Sequence, residues 1–223
     1  MYTPRRRAKH AKKRGPLHRI RIFLALVLVV IAGLGFGYIF AAYQSLPAVS
    51  NNMRPAVSSQ VFDIHGRLIT TLHSDQNRLP IDINKVPQNL QDAFIAAEDN
   101  RFYDHIGIDP IGIVRAVVTN LTNRGIAQGG STITQQLAKN AFLSPEQTLK
   151  RKIQEAMLAL EIERKYSKKE ILEMYMNQIY FGQGAYGIQT AAKTYFGKDV
   201  DQLNVAQCAM LAGLPKSPNY YSP

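Results

Sequence analysis

Apolar residues recur along this chain in three rhythms. The first is unbroken. Ile22 to Tyr43 carries no charged side chain, and about 20 apolar residues suffice for a helix to cross a bilayer core. The second alternates. SSQVFDIHGRLITTLH holds two short runs on either side of Asp63-Ile64-His65-Gly66. That pattern predicts a β-hairpin with Gly66 at positive φ, and Arg78–Ile83 is expected to add a third strand. The third rhythm is helical and fills the rest. Val86-Pro87 opens a helix with Leu90, Ala93, Phe94 and Ala97 on one face, ending at Glu98-Asp99. Asp109-Pro110 opens the next, with Val114, Val117 and Val118, which stops before Asn123-Arg124-Gly125. Ser131 or Thr132 caps a helix bearing Gln135, Gln136, Lys139 and Asn140. Ser167 to Glu170 starts another, with Ile171, Leu172, Tyr175 and Met176 inward. Ile188–Tyr195 and Val205–Ala212 complete the set, Asn204 and Gln207 forming a capping box.

The stretch from Ser144 to Lys165 is the centre of this pattern. Ser144, Pro145 and Gln147 predict a capped start. Leu149, Ile153, Ala156, Met157 and Leu160 form one stripe, expected to be buried. Thr148, Arg151, Glu155, Leu158, Ala159 and Ile162 form a second, also largely apolar. A helix apolar on two sides is a central one, so Arg151 and Glu155 are ionisable groups set into a covered surface. They are either a closed ion pair or a working site.

Charge sharpens the organisation. The net charge is +11, but residues 1–21 hold nine Lys/Arg and no acid. The remaining 18 basic and 16 acidic residues nearly cancel. The chain therefore divides into a basic cytoplasmic arm (1–21), a transmembrane helix (22–43), a Pro-containing linker (44–57) and one mainly helical domain (58–223). Cations before the span place the N-terminus in the cytoplasm and the domain outside. Anionic headgroups are then the partner of the arm, and no nucleic acid is expected. A lone cysteine, Cys208, rules out an internal disulfide, and the five histidines are scattered. YFGQGAYG from Tyr180 lacks the Lys-Ser/Thr ending of a phosphate loop.

Two places carry candidate chemistry. Glu98 and Asp99 sit at a helix C-terminus, where the helix dipole favours cations. Local rules broken in this way are commonest at functional sites. After Gly129-Gly130, a hydroxyl from Ser131 or Thr132, the Gln135 amide and the Lys139 ammonium share one helical face. That surface suits a phosphate or a sugar.

Taken together, these stretches resemble the peptidoglycan glycosyltransferase domain of class A penicillin-binding proteins and monofunctional transglycosylases, glycosyltransferase family 51. The motif E-D-x-x-F-x-x-H-x-G is met by Glu98, Asp99, Phe102, His105 and Gly107. G-x-S-T-x-T-Q-Q-x-x-K-N is met from Gly129 to Asn140, and R-K-x-x-E by Arg151, Lys152 and Glu155. E-x-Y-x-N and Y-F-G-x-G-A-Y-G-I follow between Glu173 and Ile188. The resemblance covers roughly Ser58 to Pro223.

The resemblance implies a mainly α, lysozyme-like fold with a small β-hairpin and a mobile jaw that touches the membrane. It implies polymerisation of lipid II into glycan strands with inversion at the anomeric carbon. By position, Glu98 is the general base and Glu155 the second acid, near the leaving pyrophosphate or a divalent metal ion (Mg or Mn). No organic cofactor is implied. Lys139, Arg151 and Lys152 hold pyrophosphate. Asp99, Ser131, Thr132, Gln135, Gln136 and Asn140 line the substrate site. Partners are lipid II, the growing strand, the bilayer and other cell-wall synthesis and division proteins. No penicillin-binding Ser-x-x-Lys stands in a transpeptidase context, so that domain is absent or lies past Pro223. The alternative is a membrane-anchored wall-binding or scaffold protein with the same fold and no activity, which intact Glu98 and Glu155 oppose.

Overall fold

Helix α1, Pro16–Gln44, realises the unbroken apolar run. From Ile22 to Tyr43 it carries no charged side chain and is apolar on every side, as suits a helix surrounded by lipid rather than by water. Among the described residues it is the one helix long and apolar enough to cross a membrane. The computed structural model describes residues 16–49, 53, 59–72, 77–123 and 129–223. Residues 1–15, half of the 44–57 linker, His73 and the Arg124-Gly125 pair expected just past α3 lie outside that set. The chain divides into one unit ending at Gln44 and a second from Ser45 to Pro223.

The second unit opens with the expected hairpin. β1, Ser59–Phe62, pairs antiparallel with β2, Leu68–Leu72. Gly66 takes φ +76° in the turn, and Asp63 accepts from the His65 and Arg67 amides at 2.8 and 2.7 Å. The third strand differs from expectation. β3 is only Asn77–Arg78, and it pairs parallel with β4, Ala185–Tyr186, over a hundred residues away. Asn177 explains why the chain leaves β geometry after it. Its side chain brackets Ile81, accepting from the amide at 2.9 Å and donating to the carbonyl at 2.8 Å.

The remaining elements are helices: α2 Gln88–Glu98, α3 Pro110–Thr122, α4 Ile133–Phe142, α5 Leu149–Lys165, α6 Lys168–Gln178, α7 Ile188–Phe196, α8 Val205–Gly213 and the short α9 Pro218–Tyr221. The mainly α architecture expected from the sequence is thus observed. Local chemistry sets most starts. Capping boxes at Thr132/Gln135, Ser167/Glu170 and Asn204/Gln207 open α4, α6 and α8. α4 packs on both α5 and α6, and α2 packs on α8. The core between them holds Leu90, Phe94, Leu137, Leu158, Ile162, Tyr175 and Phe181. Phe94 meets Tyr175 and Phe181 edge-on, with centroids 6.1 and 5.9 Å away, the geometry that ring quadrupoles favour.

Helix α5 departs from expectation twice. It starts at Leu149 rather than at Ser144, because Thr148 Oγ1 caps the Arg151 amide at 3.1 Å. The four residues before it stay irregular, held by an Arg151 Nη1 bond to the Pro145 carbonyl at 3.1 Å. The stripe that is buried is the second one. Glu155, Leu158, Ala159 and Ile162 face α4 and α6, whereas Leu149 is exposed and Ile153, Met157 and Leu160 are half-covered. Both stripes are apolar, and only tertiary packing chooses between them. Helix α3 is reversed in another way. It buries Gly112 and Ala116, while Ile111, Val114, Val117, Val118 and Leu121 are exposed.

Candidate active site

Glu98 is the last residue of α2, and the helix ends there because Asp99 adopts φ −158°, ψ 75°. Its half-buried carboxylate faces a cleft with a cavity volume of about 220 Å³. Oε2 accepts a 2.7 Å hydrogen bond from Gln136 Nε2 on α4. The other oxygen has no hydrogen-bond partner among the described residues. Gln136 is itself oriented from behind, its Oε1 accepting a long 3.4 Å bond from the Tyr175 hydroxyl on α6. Burial, and then the charges of Glu98 and Asp99, push the Tyr175 phenol well above its ordinary range. It therefore stays a neutral donor, and the amide must present its NH₂ to Glu98.

Asp99 also borders the cleft, but its carboxylate is committed to other partners. It is buried, and its carboxylate oxygens lie 3.0 and 3.1 Å from His105 Nε2. Oδ2 also accepts from the Ile133 amide in the first turn of α4 at 3.0 Å. The Gly107 amide points at His105 Nδ1 at 3.1 Å. An amide can only donate, so Nδ1 is bare and Nε2 carries the hydrogen that Asp99 accepts. Gly107 takes φ +95°, and a Cβ there would stand 2.9 Å from the Ala159 carbonyl oxygen on α5. Only glycine lets the loop lie so close to that helix. Thr132 Oγ1 closes the arrangement by donating to the Gly107 carbonyl at 2.6 Å.

The third motif lies beside this loop. Glu155 is almost fully buried on α5. Arg151 Nε stands 3.0 Å from its Oε1 and Lys152 Nζ 2.7 Å from its Oε2. Lys152 also donates to Ser131 Oγ at 2.7 Å, and Ser131 lines the cleft together with Thr132 and Gln136. Glu98 thus opens directly into the cleft, and Glu155 lies behind the Lys152–Ser131 pair. No hydrogen bond joins the two acids among the described residues. Gln135 is turned inward, its Oε1 accepting from the Thr132 amide at 3.0 Å. Lys139 is half-buried and Asn140 exposed further along α4. Neither they nor Arg151 line the cleft around Glu98.

A family model for transglycosylases matches residues 65–223, a span that contains every one of these groups. The chain belongs to the transglycosylase family. It is 48% identical over 202 residues to penicillin-binding protein 1A of Aquifex aeolicus, covering 90% of this chain and 28% of that protein. It is 45% identical over 210 residues to penicillin-binding protein 1A of Escherichia coli, covering 92% and 24%. Against penicillin-binding protein 1A/1B of Bacillus subtilis the figures are 44% over 215 residues, 95% and 23%. The chain spans about a quarter of the length of these relatives.

Two cations of this transglycosylase domain were not singled out by its sequence. Arg115 on α3, which donates to Asn100 at 3.2 Å, and Lys216, in the turn after α8, both line the cleft. Arg115 left a signal, a charge inside IGIVRAVV. Lys216 left none, since only the fold brings it back to α2. The surroundings of Glu155 do not fit a resident divalent ion. Both oxygens already face cations, and among the described residues no three His, Cys, Asp or Glu stand together as ligands.

Proposed function

We propose that this chain polymerises lipid II into peptidoglycan glycan strands, transferring the growing strand from its lipid pyrophosphate to the acceptor's 4-hydroxyl with inversion. The observation that carries the reading is the Glu98 carboxylate, held by Gln136 through one oxygen with the other open to the cleft. In the step, the acceptor oxygen attacks the donor's anomeric carbon from the face opposite the leaving group. The bond from that carbon to the pyrophosphate oxygen breaks, and its electron pair leaves with the pyrophosphate. The hydroxyl proton passes to Glu98, acting as general base. Lys152, held between Ser131 and Glu155, and Arg151 are the cations for the leaving charge, with Lys139 further along α4.

The substrate's lipid needs an apolar surface near the chemistry. Helix α3 supplies one, with Ile111, Val114, Val118 and Leu121 exposed on one side and Gly112 and Arg115 at the cleft. With α1 in the bilayer, the basic arm is cytoplasmic and the domain lies outside, beside its lipid substrate. The deciding experiment is polymerisation of purified lipid II by the whole chain in detergent, with Glu98→Gln alongside. The parent is expected to make glycan strands. The variant is expected to lose about 10²–10⁴-fold in rate while melting like the parent. An inactive parent, or a Glu98→Gln chain that polymerises at the parent's rate, overturns the reading.

A further inference from the structure

Glu163 is a largely buried acid to which the chemistry above gives no task. It stands on α5 eight residues beyond Glu155, about 12 Å along the helix at 1.5 Å per residue. Its Oε1 accepts from Thr134 Oγ1 on α4 at 2.6 Å and from Lys168 Nζ on α6 at 2.7 Å. The same ammonium lies 4.6 Å from the ring centroid of Phe102, which is fully buried in the loop after Glu98. A Cβ added to Gly107, at the far end of that loop, would stand 3.0 Å from Glu163 Cγ. From the helix that carries Glu155, the Glu163 side chain therefore bonds α4 and α6 directly, lies against Gly107 at the end of the Asp99–Gly107 loop, and reaches Phe102 within that loop through the Lys168 ammonium. Short charge-assisted bonds are the most directional ties available for this purpose.

We propose that Glu163 is a positioning residue that sets the distance between the two working acids. Through Thr134 it holds α4, whose Gln136 orients Glu98. Through Lys168 and Phe102 it holds the loop in which Asp99 and His105 lock the end of α2. The inference rests on the reading of Glu98 and Glu155 as the acids of the reaction. It competes with a plain stabilising ion pair. Buried pairs are often no more stabilising than apolar packing of the same shape, and their better use is to select one arrangement. A misplacement of about 1 Å at a reacting centre can cost about 10²-fold in rate, so a partial loosening should show in turnover before it shows in binding.

The test uses the whole chain in detergent with Thr134→Val, Thr134→Ser and Glu163→Gln. Thr134→Val keeps the side-chain shape and removes the donor, and Thr134→Ser restores the donor. Turnover and KM are measured with lipid II, and hydrogen exchange is measured at individual amides. Thr134→Val and Glu163→Gln are expected to lower kcat about tenfold with KM within about twofold, the pattern of an interaction that matters in the transition state. Thr134→Ser is expected to return kcat to within about threefold of the parent. The Gly107 and Ile133 amides, which bond His105 and Asp99, are expected to exchange about tenfold faster while the middle of α6 is unchanged. Parent-like turnover in Thr134→Val and Glu163→Gln overturns the proposal. So does faster exchange spread evenly over the domain, the mark of a pair that only stabilises. If the parent makes no strands, the functional reading fails by itself, and the exchange pattern still decides whether the cluster holds the loop.

Discussion

Glu155→Gln is expected to destabilise the domain as well as slow it, and the size of the effect follows from who faces the carboxylate. Removing one partner of a fully buried ion pair costs about 3–5 kcal/mol, because the other charge is left uncompensated. An exposed pair contributes about 0–1 kcal/mol. Glu155 has both kinds of partner. Its own side chain is 4% exposed, Arg151 is 17% exposed and Lys152 is 46% exposed. Lys152 can swing into water, so its share lies near the low figure. Arg151 is anchored to the Pro145 carbonyl and cannot escape as easily, so its share lies near the lower end of the buried range. The sum is about 3 kcal/mol, softened somewhat because Gln still offers Oε1 as an acceptor. For a domain of this size, about 1 kcal/mol moves Tm by about 2–4 °C, so a drop of about 6–12 °C is expected by calorimetry. Adding Arg151→Met to Glu155→Gln should cost little more, because the stranded charge has gone. A coupling of at least about 1 kcal/mol is expected in that double-mutant cycle. A Glu155→Gln chain that melts within about 2 °C of the parent, or additive single effects, would refute the reasoning.

Other expectations follow from the same geometry. Arg151→Lys keeps the charge and loses the planar fork with which the guanidinium would hold two oxygens of the leaving pyrophosphate. One charge-assisted bond is worth about 1.5 kcal/mol, so about a tenfold drop in kcat/KM with lipid II is expected at a Tm near the parent's, and equal losses of both would point to structure alone. Gly107→Ala forces a left-handed backbone on a residue with a Cβ and drives that carbon against the Ala159 carbonyl. About 3 kcal/mol of lost stability is expected in urea titration, and an unchanged midpoint would contradict it. A reporter active only in the cytoplasm, fused after Pro223, is expected to stay silent, and a signal would reverse the membrane orientation.

What the sequence disclosed was mostly local. Thr132, Ser167 and Asn204 announce their helices because a cap and its answering Gln or Glu lie within four residues. The same logic misplaced the start of α5, where Ser144 and Thr148 are both fit to cap and only the fold selects Thr148. The two apolar stripes of α5 could not be ranked without knowing that α4 and α6 lie on one side. β3 found its partner far along the chain, beyond the reach of any local pattern. In the site, Glu98 and Glu155 were legible as acids in uncomfortable places. The engagement of Asp99 by His105 was not, because a carboxylate beside another carboxylate carries no mark of which one is already bonded and which is left open.

Helix α3 bears on how the protein must be handled. Deleting the residues before Ser45 is the usual route to a water-soluble fragment, and here it would fall short. The fragment would still present a side of α3 dressed in Ile, Val and Leu, with only Gly112 and Ala116 tucked beneath. An apolar strip of that kind drives self-association in plain buffer. Detergent dependence would therefore outlive the anchor, and curing it calls for polar residues at Ile111, Val114 or Leu121.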